Sequence, residues 1–212
     1  MIGIRECEQA QLAWFTARAA ASGGRLWVDS EHTFAWLPDD RHVHLLFPER
    51  VDAAALGRGI AEATRLRATL GVWLGPGADP AALADAGFEH GWQPWWMVAE
   101  LADVPRAEDE RVRIEVDGTM RIALAWEGSR SFGKAVAHLG TPDVAGIFDM
   151  GVYPRWQRQG VGSALLSAVC RSAEAAGARF AALNATPDGE RLYSRRGFVR
   201  VGDGETWWLH PR

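Results

Sequence analysis

A short pattern occurs twice in the chain, and that repeat limits the possible architecture more than any other feature. Gly87-Phe88 is followed by Trp95-Trp96, and Gly197-Phe198 by Trp207-Trp208, so the Gly-Phe pairs stand 110 residues apart in a chain of 212. The upstream context repeats as well. Val72-Trp73-Leu74 and a helical stretch from Pro80 to Ala86 precede Gly87; Phe180 to Leu183 and Gly189 to Arg196 precede Gly197. Each half reads strand, short helix, glycine stop, strand, with glycine suited to the left-handed position that closes a helix. A longer helix precedes each unit: Val51 to Leu70 with Gly71 as its stop, and Gly162 to Ala176 with Gly177 as its stop. In the second of these, Leu165 and Val169 lie four apart, as do Leu166 and Cys170, which gives an apolar face and makes Cys170 a core residue rather than a nucleophile.

Strands fill the remainder. His42 to Phe47 is ended by Pro48, Lys134 to Leu139 alternates, and Val144 to Tyr153 is mostly apolar, as a strand covered on both faces should be. Glu127 to Ser131 reads as a hairpin connection. Ala102 to Glu110, acidic and containing Pro105, reads as the linker between halves spanning 1–101 and 111–212. The formal net charge is −4 with no basic stripe, which argues against nucleic acid. Two distant cysteines make neither a disulfide framework nor a zinc cluster. His42 and His44 share a strand face but have no further ligand partner, so no metal is expected. No signal peptide or apolar run long enough to span a bilayer is visible, and a cytoplasmic monomer or homodimer is expected. Most of the eleven tryptophans are expected to be packing residues.

One segment carries chemistry. From Ile147 to Leu166 a strand ends at Pro154, a short polar loop follows, and Gly160 and Gly162 open a helix. The first N–H groups of a helix have no internal partner and carry the positive end of its dipole, so they attract an anion. Glycine there lets a phosphate approach the backbone without a Cβ in the way, and Arg155 and Arg158 add positive charge at the rim. A Walker loop needs Gly-Lys-Ser/Thr and a dinucleotide fingerprint needs a third glycine where Leu165 stands, so neither fits. A short pyrophosphate turn, Gln157-x-x-Gly160-x-Gly162, remains.

Val152-Tyr153-Pro154 with that turn, Leu183-Asn184-Ala185-Thr186, and Leu192-Tyr193-x-x-x-Gly197-Phe198 together resemble the GCN5-related N-acetyltransferase (GNAT) superfamily, over about Arg121 to Leu209. The resemblance implies an α/β fold of two tandem acyl-CoA N-acyltransferase-like units, each a mixed, mostly antiparallel sheet flanked by helices. It implies transfer of an acetyl group from acetyl-CoA to an amine of a small molecule or peptide by direct attack. The other reading is a non-catalytic acyl-CoA-binding sensor or pseudoenzyme. By resemblance the backbone of Met150 and Val152 bonds the pantetheine amides, and the amides of Gln157, Arg158, Gln159, Gly160, Val161, Gly162 and Ser163 cradle the pyrophosphate. Tyr193 stands where the family often has the acid that protonates the departing thiolate. Asn184 either holds pantetheine or a water, or bonds its own backbone as a turn residue. The base is open between Asp149, which alternation turns away from Met150, and Glu127 in the hairpin.

The first half reads as a degenerate copy. Phe47-Pro48-Glu49-Arg50-Val51-Asp52 precedes its long helix without a glycine pair and with acids where a phosphate would lie. Aligning Gly87 with Gly197 puts Leu83 at the tyrosine position, so this half is expected to bind no CoA. Too few residues separate the linker from Val144 for the two helices the family usually places there. The first half is therefore expected to lend a wall to the acceptor site, with Trp95 and Trp96 as its contribution.

Overall fold

A computed structural model describes residues 2–211. In chain order the elements are α1 (Ile4–Ala21), β1 (Arg25–Asp29), β2 (His32–Leu37), β3 (His42–Leu46), α2 (Ala53–Leu66), β4 (Thr69–Leu74), α3 (Ala81–Asp85), β5 (Glu89–His90) and β6 (Trp95–Glu100). They continue with β7 (Val112–Asp117), β8 (Met120–Glu127), β9 (Arg130–His138), β10 (Val144–Val152), α4 (Val161–Ala175), β11 (Phe180–Ala185), α5 (Pro187–Ser194), β12 (Val199–Asp203) and β13 (Glu205–Leu209). Among the described residues no helix is long and apolar enough to cross a membrane.

The strands form two mixed sheets, ordered β1-β2-β3-β4-β13-β5 and β12-β6-β11-β10-β9-β8-β7. Each has a parallel pair at its heart, β3 with β4 and β10 with β11. A parallel neighbour needs a long crossover, and α2 and α4 supply them. The strand that ends each half of the chain crosses to the other sheet. β6 pairs with β11 from Glu100↔Phe180 to Trp95↔Ala185, and β13 pairs with β4 from Glu205↔Leu74 to Leu209↔Leu70. Two compact units result: residues up to 11 with 95–202, and 12–94 with those from 203 onward. The halves read from the sequence, 1–101 and 111–212 with a linker at 102–110, differ from these units because that reading kept each Trp-Trp strand with its own half.

α4 lies where its periodicity puts it. Leu165, Leu166, Val169 and Cys170 are buried beneath it against alternate residues of β10 and β11, including Ala145, Ile147, Ala181 and Leu183. Burying one such leucine contributes about 1.5–3 kcal/mol. Burial also pushes the Cys170 thiol up to about 12, so it stays a thiol. Gly177, with φ +99°, closes this helix as expected. Gly71 does not close α2. That helix ends at Leu66 with Arg67 in the left-handed conformation, bonding back to the Ala63 and Thr64 carbonyls. Gly71 lies inside β4, where a Cβ would stand 2.6 Å from Trp208 Cζ3 and 3.0 Å from His44 Nδ1. The helix α1 and the strands β1, β2 and β7 were not anticipated.

His44 is buried in the first sheet between Phe15 and Trp208, and Trp73 Nε1 donates to its Nδ1 at 3.3 Å. Burial pushes its pKa down to about 3 from an ordinary 6.5. The unfolded chain thus binds a proton that the folded chain refuses. The stability this residue provides is complete above about pH 6.5 and falls by about 1.4 kcal/mol per pH unit below it, down to the folded value. Urea unfolding near pH 7 and near pH 5 should show a smaller loss for His44→Gln, which keeps an acceptor beside Trp73, than for the wild type.

Candidate active site

The parallel ladder between β10 and β11 stops early. Register runs from Val144↔Phe180 to Ile147↔Leu183, yet β10 continues to Val152 and β11 to Ala185. On its other edge β10 carries a bulge: Phe148 pairs with Val136 and Gly151 with Lys134, so two residues of β10 oppose one of β9. Asp149 makes the bulge, with φ +49°. An extra residue bends a strand and reverses its alternation. That reversal turns Met150 and Val152 to the face that α4 covers, where both pack on the core. Asp149 itself is exposed, and Lys134 Nζ holds its carboxylate at 3.0 Å.

Beyond the splay the chain turns through a short 3-10 helix, Pro154–Trp156, into the exposed loop 157–160 and then α4. Gly160 adopts φ +83°, which L side chains resist. The first bond of α4 runs from the Ala164 N–H to the Gly160 carbonyl, and no side chain caps the helix. The amides of Val161, Gly162 and Ser163 therefore precede the ladder at the positive end of the helix dipole. A Cβ on Gly160 or Gly151 would meet nothing within 4 Å, and one on Gly162 only Leu192 at 3.4 Å and Met150 at 3.6 Å. Space thus stands open over Gly160, which suits a phosphate group, while Gly162 meets its neighbours only at ordinary contact distance. Two loop side chains are turned inward: Gln157 Nε2 donates to the Val152 carbonyl at 2.9 Å and Gln159 Nε2 to the Arg155 carbonyl at 3.2 Å. Arg158 is exposed on the loop in a left-handed conformation.

Tyr193, on α5, is buried with its ring 5.9 Å from Phe198. Burial first, and then the neighbouring Cys170, push its hydroxyl up to about 12. Asn184 lies in β11 opposite Trp96, just past the last β10–β11 pair. Its neighbours Leu183 and Ala185 belong to the core under α4, so alternation points Asn184 to the other face. There Nδ2 donates to Gln11 Oε1 at 2.6 Å. Gln11, on the unforeseen α1, gave no motif signal. Glu127, at the end of β8, is exposed and 3.8 Å from Arg155. Trp96 is fully buried, while Trp95 is half-buried with the Arg200 guanidinium 3.9 Å over its ring.

The equivalent place in the first sheet is closed. β3 and β4 pair along all of β3, from His42↔Thr69 to Leu46↔Trp73, and the Phe47 N–H continues the ladder to the Trp73 carbonyl. Asp52 caps α2 through the Ala55 amide at 2.7 Å, so a carboxylate already occupies that helix end. Leu83 is buried in the core.

The acetyltransferase (GNAT) domain family matches residues 97–206, just over half of the chain. The chain belongs to the GNAT acetyltransferase family. No curated protein matches it. Among solved structures it is similar to a GCN5-related N-acetyltransferase from Kribbella flavida (15% identity, TM-score 0.68, covering 94% of each chain). A putative GNAT acetyltransferase from Novosphingobium aromaticivorans is also similar (13%, 0.64, covering 94% of this chain and 96% of that one). So is a tandem GNAT protein from the clavulanic acid biosynthesis pathway (13%, 0.53, covering 98% of this chain and 96% of that one).

The two loop glycines make opposite predictions for folding. Gly162 is helical with room for a methyl group, so Gly162→Ala should raise the unfolding free energy by about 0.5–1 kcal/mol. Gly160→Ala should lower it by about 1–2 kcal/mol, through its positive φ. Chemical denaturation of both variants measures the difference.

Proposed function

We propose that this chain transfers an acetyl group from acetyl-CoA to an amine of a small molecule or peptide by direct attack, and that it binds one CoA. One observation carries the reading. A parallel pair that splays is followed by the bulged end of β10 and by an uncapped helix entered through Gly160, over which space is open, and Gly162. The other parallel pair is closed and its helix is capped by Asp52. The matching strand orders, the repeated Gly-Phe and Trp-Trp pairs, and the similarity to a tandem GNAT protein support reading the first unit as a degenerate copy.

The roles follow from placement. The amides from Gln157 to Ser163 hold the pyrophosphate, with Arg158 adding charge above the loop. Met150 and Val152 offer backbone groups to the pantetheine arm, and Gln157 must release the Val152 carbonyl for that bond to form. Tyr193 keeps its proton at neutral pH, since its hydroxyl is held near 12. A thiol ordinarily titrates near 8.5, so full transfer from this phenol is uphill. Tyr193 then acts chiefly by donating a hydrogen bond as charge develops on the departing sulfur. Cys7 and Cys170 are buried, with burial holding each thiol up at about 12, which fits attack without a covalent enzyme intermediate.

Thiol release from acetyl-CoA, measured against a panel of primary amines, tests the activity. Amine-dependent release is expected, and its absence across the panel would favour a binding protein without turnover. Calorimetry should give one CoA per chain for the wild type. It should give none for Gly160→Asp, which adds a side chain and a negative charge over the phosphates. Tyr193→Phe should lower turnover by about 10- to 100-fold with CoA affinity nearly unchanged. An unaltered rate would remove Tyr193 from the chemistry.

A further inference from the structure

Two carboxylates near the splay are exposed and already face cations, Asp149 with Lys134 and Glu127 with Arg155. A third carboxylate comes from α1. The first eleven residues belong to the same compact unit as the splayed sheet. They cover the sheet face opposite α4. Ile4 fills the space that a Cβ on Gly202 of β12 would take, and Ala10 Cβ lies 3.3 Å from the place of one on Gly146 of β10. Gln11 is bonded to Asn184 of β11. Glu8 stands one turn from both Ile4 and Gln11 on that helix, so it shares a strip that meets β12 at Ile4 and reaches Asn184, just past the last β10–β11 pair, at Gln11.

Glu8 Oε1 is buried and no hydrogen bond reaches it. A buried carboxylate oxygen without a partner is costly, and such groups concentrate where chemistry needs them. We propose that Glu8 is the general base that takes a proton from the incoming amine. The inference rests on the acetyltransferase reading above. The acceptor arrives as an ammonium ion and gives one proton to a Glu8 oxygen, which passes it on to water. The freed nitrogen lone pair forms the C–N bond, the C–S bond breaks, and its electron pair leaves on sulfur. One of the two protons left on nitrogen is lost as the amide forms and balances the CoA thiol; the other stays as the amide N–H.

Burial raises the Glu8 carboxyl to about 7. Around it on α1, Glu6 is held low by the Gly3 amide, Arg5 is exposed, and Cys7 is a buried thiol. On the strands, Lys134 and Asp149 pair with each other and Arg200 lies over Trp95. His138, in register with Gly146, is held below its ordinary value by burial and is neutral where Glu8 titrates.

The test uses acetyl-CoA with spermidine, tyramine and a tripeptide as amine probes. For whichever probe turns over, wild-type kcat/KM should rise through about pH 7 as Glu8 ionises. Glu8→Gln should lower it about 100-fold and remove that limb. CoA affinity and melting temperature should not fall, because the variant replaces an unpaired carboxyl with a neutral amide. Glu8→Asp should keep part of the rate with a displaced limb. Carbon-13 NMR of glutamate-labelled protein should show one carboxyl titrating near pH 7 that Glu8→Gln removes, a readout that needs no acceptor. Wild-type turnover with an unchanged rate and limb in Glu8→Gln would overturn the role of Glu8 alone. No thiol release with any probe would overturn the acetyltransferase reading, and the role of Glu8 with it. Should Glu8→Gln fail to fold, the assignment falls if Glu8→Asp leaves the limb in place or no wild-type carboxyl titrates near neutrality.

Discussion

Everything proposed for this chain depends on a backbone ladder that stops after four pairs. Parallel strands gain stability by continuing to pair, and β10 and β11 both extend beyond Ile147 and Leu183 without doing so. The bulge at Asp149 bends β10, and on β11 the side-chain amide of Asn184, the residue beyond the last pair, donates to Gln11. Unpaired strand backbone inside a fold must find partners, so a splay of this kind is a place where an extended ligand with its own amides can bind. The same bulge fixes which side chains face α4. It brings Met150 against Gly162 and sends Asp149 out to Lys134.

The first sheet shows what the same order of elements does without those features. Its parallel ladder runs the full length of β3, and the Phe47 amide extends it. The helix that follows satisfies its own first turn through Asp52, a cap of a kind usually worth about 1 kcal/mol. α4 forgoes that stabilisation, and Gly160 adds the cost of a left-handed residue that glycine alone bears easily. One unit is thus arranged for stability where the other leaves helix amides unmet. That asymmetry is a stronger argument for a single binding site than the glycine pair by itself.

Much of this was legible in the sequence because it depends on local rules. The glycine stops at 177 and 197, the apolar face of α4 and the strand–loop–glycine–helix passage at 144–166 each follow from spacing and backbone freedom. Gly71 was misread because a glycine after a helical stretch looks like a stop, whereas here it makes room for the Trp208 ring, a long-range contact no local rule contains. The exchange of β6 and β13 was hidden for the same reason: which sheet a strand joins is decided by register with distant partners such as Asn184 and Val72. The bulge was also hidden, since simple alternation assigns facing correctly only while the ladder is regular.

α1 was the least legible element, and its opacity has a physical cause. A helix declares itself through an apolar stripe, but the stripe of α1 sets Gln11 among Cys7, Ala10, Trp14 and Phe15, and Glu8 lies beside it. Polar groups in that position weaken the periodic signal because they are buried for a reason other than packing. Gln11 is satisfied by Asn184, so its burial is accounted for by a hydrogen bond. No bond accounts for Glu8 Oε1, and an aliphatic residue there would serve folding better. The position at which the sequence contradicts its own helix pattern is therefore the one most in need of a chemical explanation. Proton transfer beside the end of the β10–β11 ladder supplies one that packing does not.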